Sequence, residues 1–352
     1  MASQTRGKVF VGLSGGVDSS VSAALLKEQG FDVTGVFIKV WQPDWMECSS
    51  REDRLDAMRV AVTLGIPFVT LDLEKEYKQG VVDYMISEYE AGRTPNPDVM
   101  CNRSVKFGAF FDWAMKQGAD YIATGHYASI RWENGVSKLI AGKDQGKDQS
   151  YFLWTLTERE LSKTIFPVGG MEKSQTRTLA RKFALPVSEK KDSQGLCFIG
   201  KVDIKEFLSH YVESKIGEVI DENGAKIGTH DGAVFVTLGE RLGFQPSKKS
   251  ADEKPYFVVA KDILSNTITV SHRSPDGSLP IEKREYKIIR ENWTVTPSKD
   301  KEYCARIRHL GDLLPCKVEG DRVIFENKVI IASGQSIVVY DGDICIGGGI
   351  VV

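Results

Sequence analysis

The stretch Gly12-Leu13-Ser14-Gly15-Gly16-Val17-Asp18-Ser19-Ser20 constrains the fold more than any other part of the chain. Strand-like residues Val9–Leu13 run into it. A helix-like run, Val21–Gln29, leaves it and stops at Gly30. Strand, glycine turn and helix in that order aim free backbone N–H groups and the positive end of a helix at whatever occupies the turn. Gly15 and Gly16 let the backbone approach an anion closely. Ser14, Ser19 and Ser20 add hydroxyls. A phosphate is the natural occupant, although a glycine turn by itself equally describes a tight connection with nothing bound.

The motif is neither of the common nucleotide loops. No Lys follows the glycines as in G-x-x-x-x-G-K-[ST], and the G-x-G-x-x-G spacing is absent. It reads S-G-G-x-D-S, with Asp18 inside the turn. An acid beside a phosphate cradle makes sense when Mg²⁺ lies between them. The stretch resembles the pyrophosphatase loop of enzymes that split ATP into AMP and pyrophosphate, among them argininosuccinate synthetase, GMP synthetase and several tRNA-modifying enzymes.

The rest of the first half supports a parallel α/β fold. Strand-like runs Val33–Val40, Phe68–Leu73 and Tyr121–Thr124 alternate with helix-like runs at Asp53–Leu64 (Leu55, Met58 and Val62 on one face), around Val82–Tyr89, and at Val105–Met115. Ligands on such sheets sit past the carboxyl ends of the strands, where Gly12–Ser20, Ile38–Trp41 and Thr124–His126 fall. In Thr94-Pro-Asn-Pro-Asp98 two prolines stiffen a turn that carries Asp98 towards Cys101. A thiol just ahead of a helix N-terminus, near Arg103 and Lys106, suits nucleophilic chemistry, and Asp98 suits proton transfer. A lone loop cysteine more often does nothing. His126 ends the fourth strand. Lys147-Asp-Gln-Ser-Tyr-Phe-Leu153 combines charge, amide and aromatics, and Arg177–Lys191 is basic enough for phosphate contacts or simply a solvated face. Asp192-Ser-Gln-Gly-Leu-Cys-Phe-Ile-Gly200 places Cys197 in a glycine-flanked apolar segment. From Ile204 the α/β rhythm stops. Gly217–Gly228 reads as a hairpin turning at Asn223-Gly224, Val234–Thr237, Tyr256–Ala260 and Thr267–Val270 as strands, and Gln245–Lys254 as a loose loop. Residues 281–352 are nearly all short strands and turns, as in a small barrel.

A chain of 352 residues implies two or three domains. A net charge of −2 neither demands nor excludes a nucleic-acid partner, since binding needs a local basic face. Six cysteines without a C-x-x-C pair give no zinc or iron–sulfur pattern. No apolar run spans a bilayer and Met1–Lys8 does not read as a signal peptide, so no membrane partner is expected and the cytoplasm is the expected compartment.

Taken together, the Gly12–Ser20 loop, Pro95-Asn-Pro-Asp98, Cys101-Asn-Arg103, Ala123-Thr-Gly-His-Tyr127, Lys147-Asp-Gln-Ser-Tyr151, Asp192-Ser-Gln-Gly-Leu-Cys-Phe198, Tyr340-Asp-Gly-Asp343 and Gly347-Gly-Gly349 resemble the tRNA-specific 2-thiouridylases over nearly the whole chain. The resemblance implies an α/β catalytic domain at 1–203, a mostly β central domain at 204–276 and a C-terminal β-barrel at 277–352. It implies ATP bound by Gly12, Leu13, Ser14, Gly15, Gly16, Val17, Asp18 and Ser19, with Ile38 and Gly125 near the adenosine, and Mg²⁺ accompanying the nucleotide. It places the target base at Asn96, Pro97 and Asp98, with Asp98 as general acid or base. Cys101 takes the nucleophile's role, and Cys197 carries a persulfide from a sulfur-donor protein, a cysteine desulfurase or sulfur relay. His126, Lys147, Asp148, Gln149, Arg308, His309 and Gln335 take the tRNA contacts. The implied reaction adenylates the C2 oxygen of the anticodon wobble uridine, and sulfur then displaces AMP. The sulfur attacks either directly from the persulfide or as hydrosulfide freed by Cys101, and either route leaves a Cys101–Cys197 disulfide.

This sequence departs from the family at Glu240 and Leu242, where Gln and Lys are usual, at His309 for Tyr, and at Ile38 for Met. Two other readings exist: an ATP-pyrophosphatase that ligates or amidates a small substrate, and a non-catalytic RNA-binding or sulfur-carrying relative. The separated cysteines and the barrel argue against the former, and the intact loop, Asp98, Cys101 and Cys197 against the latter.

Overall fold

The computed structural model describes residues 5–45, 50–192, 203–241, 245–246 and 254–352. Cys197 and Cys48 lie outside the described residues, as does the expected glycine-flanked segment beyond Asp192.

Strands β1 (Lys8–Gly12), β2 (Asp32–Lys39), β3 (Phe68–Asp72) and β4 (Tyr121–Ala123) form a parallel sheet in the order β3-β2-β1-β4, with Thr164–Ile165 added beside β4. Alternation decides which face each residue fills. Val9, Val11, Val33 and Phe37 pack with Ala23 and Leu26 of α1 (Val17–Glu28) and Ala57 and Ala61 of α2 (Ser50–Leu64). Phe10, Val36 and Ile38 face the other way, onto Tyr77, Val82, Met85, Val105 and Phe110. Burial on both faces explains why these strands read as continuous apolar runs. The order reverses between β1 and β4, so a crevice opens at their carboxyl ends.

Several local expectations shift. α1 starts at Val17 rather than Val21, which moves Asp18 and Ser19 out of the turn and onto the first helical turn. α2 turns Ala57, Val60 and Ala61 inward while Val62 is 80% exposed and Leu55 38%. Close approach to α1 selects the small side chains over the larger stripe. Val234–Thr237 is not a strand, because Ala233–Phe235 makes a 3₁₀ turn. Within the expected loose loop, Gln245–Pro246 pairs with Gly228 and Thr229.

The central domain packs Val219, Val236, Val258, Ile268 and Val270 behind a sheet that includes the Asn223-Gly224 hairpin. The C-terminal strands Lys283–Trp293, Arg322–Val329, Leu314–Glu319, Tyr303–Arg306, Ser336–Asp341 and Ile344–Val351 pair in that order, and the last returns to the first, closing a barrel.

The barrel does not stand apart. A hairpin from the catalytic half, Ala128–Glu133 with Val136–Ala141, adds to its sheet by pairing Leu139 with Cys345 and Ile140 with Ile344. Asn134 and Gly135 turn it at φ 53° and 82°, the two positive values that a type I′ turn needs. Beside this seam lies a buried ion pair. Asp148 is fully buried and takes Arg306 of the barrel, the Gly142 N–H at 2.8 Å, the Ser150 N–H at 3.0 Å and the Ser150 hydroxyl at 3.1 Å. The Trp154 indole donates to Ser336 Oγ at 3.2 Å, and Asn292 donates to the Trp154 and Leu156 carbonyls at 2.8 and 2.9 Å.

Removing one member of a buried pair leaves the other charge uncompensated. Arg306→Met is therefore expected to cost about 3–5 kcal/mol, read as a lower urea midpoint. A midpoint unchanged from wild type would show that the pair does not hold the barrel.

Candidate active site

The loop after β1 builds an anion cradle. Gly16 is the N-cap of α1, in extended conformation. Gly15 sits at φ +75°, and a Cβ there would lie 2.3 Å from the Asp53 carbonyl, so only glycine lets α2 pack onto the loop. The Ser14 N–H donates to Ser19 Oγ at 3.2 Å, and the two hydroxyls lie 3.2 Å apart.

The acids of the cradle are held by cations. Lys173 donates to both oxygens of Asp18 at 2.8 Å, and the Tyr127 hydroxyl adds a bond to Asp18 at 2.9 Å. Lys173 also reaches Asp192 at 2.9 Å, together with Lys147 at 2.9 Å and Arg177 at 2.6 Å. Burial opposes ionisation of Asp192, but the bonds from Lys173 and Lys147 outweigh it and hold the carboxyl well below its ordinary range. Burial, reinforced by Asp18, pushes the Tyr127 hydroxyl far up, so it stays a neutral donor.

Asp18, Tyr127, Lys147, Lys173 and Asp192 line a cleft of about 570 Å³ at the crevice between β1 and β4. That volume is in the range of small-molecule sites. Gly12, Leu13, Ser14, Gly16, Val17, Asp18, Ser19, Ile38 and Gly125 line it, as do Lys147 and Gln149. Val36, Phe37, Ile38 and Val40 add apolar lining to that of the charged groups. His309 and Leu310 of the barrel also line it, which makes the nucleotide cleft a product of two domains. The His309 ring packs on Phe152 with centroids 4.3 Å apart.

The second group lies on a helical run that borders this cleft. Asn96 caps it by accepting from the Val99 N–H at 3.2 Å, Pro97 takes the first position, and the chain stays helical through Pro97–Cys101, Asn102–Ala109 and Phe110–Lys116. Cys101 is thus within the helix and fully buried, not ahead of an N-terminus as its spacing from Val105 suggested. The Asn-Pro pair was the helix-start signal. Asn102–Ala109 is wound in wider π-type turns, a form common at functional sites. Lys106 of this stretch lines the cleft.

The remaining expected residues fall in different places. His126 lines the cleft but is only 6% exposed, with its Nδ1 2.7 Å from Thr124 Oγ1 and its Nε2 3.4 Å from Lys106. Gln149 accepts from the Tyr127 N–H at 3.0 Å. Arg308 is exposed. Asp148, expected at a tRNA contact, presents no surface, because its carboxylate is committed to Arg306, Gly142 and Ser150. Gln335 donates to the Thr94 carbonyl at 2.7 Å. Lys173 is a cleft residue that the sequence reading does not single out. It stands four residues before Arg177, the start of the basic run.

A doubly wound sheet, an anion cradle at its switch point, a cleft and an adjoining helix with an acid and a thiol define a nucleotide-activating α/β enzyme with two β domains attached. Comparison with known proteins agrees. Residues 7–201 match the family described as the tRNA methyl transferase HUP domain, 205–272 its PRC-barrel domain, and 283–351 the aminomethyltransferase beta-barrel domain. The tRNA-specific 2-thiouridylase MnmA of Enterococcus faecalis is 43% identical over 364 residues, covering 100% of this chain and 96% of the relative. That of Francisella tularensis subsp. novicida is 43% identical over 357 residues, covering 98% and 99%. The chain belongs to the tRNA-specific 2-thiouridylase family.

Burial, with the charge of Lys106 second, drives the His126 imidazole well below its ordinary value, so it stays neutral in the folded protein. The unfolded chain's histidine takes up a proton near pH 6.5. Stability from the neutral ring is therefore present above about pH 6.5 and lost as pH falls below it. His126→Gln is expected to make the fall in melting temperature between about pH 6.5 and 5 shallower than in wild type. Parallel curves would mean that the ring protonates as freely folded as unfolded.

Proposed function

We propose that the chain is an ATP-dependent tRNA thiolase that replaces the C2 oxygen of the anticodon wobble uridine with sulfur. The observation that carries the reading is the junction of two sites: a nucleotide-sized, cation-walled cleft, and a helical run that bears Asp98 and Cys101 and puts Lys106 into the same cleft.

The residues divide the chemistry between them. The adenine side of ATP lies along the apolar lining at Ile38, with Gly125 beside it, and the phosphates lie on the Ser14–Ser19 cradle. The uridine C2 oxygen attacks the α-phosphate, pyrophosphate leaves, and the adenylated carbon becomes a good electrophile because AMP can depart from it. Lys173, Lys147 and Lys191 stabilise the leaving pyrophosphate, and Lys173 and Lys147 also pair with Asp18 and Asp192. The residues fit a Mg²⁺ carried in with the nucleotide, since Asp18 and Asp192 converge on Lys173 at the phosphate end and Mg²⁺ is commonly held by one or two carboxylates plus phosphate oxygens. Its charge would offset that of the pyrophosphate. Asn96, Pro97 and Asp98 receive the base, and Asp98 moves the proton. The base must leave its stack to reach this depth.

Sulfur arrives as a persulfide on Cys197 from a donor protein. Its terminal sulfur bonds to C2, AMP leaves, and the S–S bond to Cys197 is replaced by a bond between Cys101 and Cys197, which a thiol reductant then opens. His126, Lys147, Asp148, Gln149, Arg308 and His309 are the expected tRNA side of the site. Of these, Arg308 and Lys147 offer charge to phosphate, and Asp148 acts through Arg306. The protein works in the cytoplasm, where unmodified tRNA and reductant are available. The three units fall at 1–203, 204–276 and 277–352.

The test is incubation with ATP, Mg²⁺, a sulfide source and unmodified tRNA, with 2-thiouridine read by mass spectrometry. Wild type is expected to thiolate, Cys101→Ser to fail with a protein persulfide, and Cys197→Ser to recover with free sulfide but not with a protein persulfide. Lys173→Ala is expected to slow turnover on the order of 10²-fold. Wild type that binds ATP and tRNA yet makes no 2-thiouridine from either sulfur source would overturn the reading.

A further inference from the structure

The segment Thr94–Pro97 cannot satisfy its own backbone. Prolines at 95 and 97 remove two N–H donors and bar a regular helix or strand ahead of Asn96, yet the Thr94 and Pro95 carbonyls are still acceptors that need partners. Those partners come from the barrel corner before strand Ser336–Asp341. The Thr94 N–H donates to the Ser333 carbonyl at 2.8 Å. The Gln335 side-chain amide donates to the Thr94 carbonyl at 2.7 Å and lies 3.5 Å from the Pro95 carbonyl. Between them Gly334 stands at φ +92°, and a Cβ there would be 2.9 Å from the Thr94 carbonyl group, so the corner is shaped to lie flush on the segment. The Tyr151 hydroxyl donates to the Ser336 carbonyl at 3.0 Å and also hydrogen-bonds the Asn96 side chain, which itself caps the Cys101 helix. From the central domain, Thr237 Oγ1 reaches Thr94 Oγ1 at 3.2 Å.

We propose that Gln335 is a positioning residue of the catalytic loop: its amide, fixed on the barrel, sets the register of Thr94–Asn96 and so the placement of Asp98 and Cys101. This rests on the thiolase reading for its effect on rate, but the contact itself does not. The amide is spent on the loop's own carbonyls, so losing it leaves them without that donor. Losing a residue whose task is to touch tRNA would weaken tRNA binding while leaving the loop alone. Losing a positioning residue instead loosens the loop before any substrate arrives and lowers turnover. A misplacement of about 1 Å at a reacting group is enough to cost on the order of 10²-fold.

The experiment compares wild type with Gln335→Glu, which keeps the shape but turns a carboxylate on two carbonyls, and with Gln335→Met, which keeps length without charge or donor. Amide hydrogen exchange of the tRNA-free full-length protein is read at residues 98–106 and, as a folding control, in strand Ser336–Asp341. Both variants are expected to speed exchange at 98–106 by about tenfold or more with the control strand unchanged. In thiolation assays kcat is expected to fall about 10- to 100-fold with the KM for tRNA within about twofold of wild type. Unchanged exchange at 98–106 in Gln335→Met overturns the proposal. So does a raised KM for tRNA with kcat intact. If wild type makes no 2-thiouridine, the thiolase reading fails by itself, and the exchange comparison still decides whether Gln335 holds the loop.

Discussion

The pairing of Asp148 with Arg306 is the constraint on which the site's composition depends. Burying two opposite charges gains little by itself, because desolvation offsets most of the attraction. What the pair supplies is specificity. Gly142 and Ser150 fill other lone pairs of Asp148 but carry no charge, so a shifted barrel would leave the carboxylate's charge uncompensated in the interior. The strand that carries Arg306 ends there, and the chain turns through Arg308, His309 and Leu310, the last two of which line the cleft. Fixing Arg306 therefore fixes a wall of the cleft. The hairpin Ala128–Ala141 does the same by main-chain pairing, since a slip by one residue at Leu139–Cys345 would turn every neighbouring side chain to the wrong face.

Inside the cleft the charges are arranged for exchange. Asp18 and Asp192 occupy the cations that a phosphate would want, and both are partly open to the cleft. In the proposed reaction, entry of a triphosphate substitutes one set of anions for another around Lys173 and Lys147. Such preorganisation is the main electrostatic source of rate in phosphate chemistry. Lys190, held by Asp53 and Asp56 at 2.8 Å, ties α2 to the end of the basic run and keeps this ring of charge from opening.

Much of this was legible in the sequence, and the failures have physical causes. The Gly12–Ser20 loop, the alternating strands and the closing barrel carry strong local patterns, and each is found in place. The stripe Leu55–Met58–Val62 misled because α2 buries its small residues, and periodicity weighted by size picks the wrong face where helices touch closely. The Asn134-Gly135 hairpin had a clear turn signal but no partner in its own neighbourhood; its sheet lies some two hundred residues further on. Asn96-Pro97 announces a helix start, yet beside Pro95 it also reads as a rigid loop, and the two readings place Cys101 differently. Long-range ties such as Asp148–Arg306, Lys173–Asp18 and Gln335–Thr94 leave no periodic trace, since each joins residues more than 150 positions apart.

The chemistry needs all three parts of the chain. A uridine carbonyl is activated only where water is excluded, and sulfur is transferred only where a thiol is held against the activated carbon. The catalytic half supplies a cradle and a buried thiol but leaves the segment leading to Asp98 short of hydrogen-bond partners and the cleft short of a wall. The barrel closes both deficits, the first through Ser333–Ser336 and the second through His309 and Leu310. Glu240 fits this scheme: it accepts from the Thr237 N–H at 2.9 Å and so steadies the residue that meets Thr94 from the third side. The active site is thus assembled at a three-way junction, and its geometry is a property of how the domains dock.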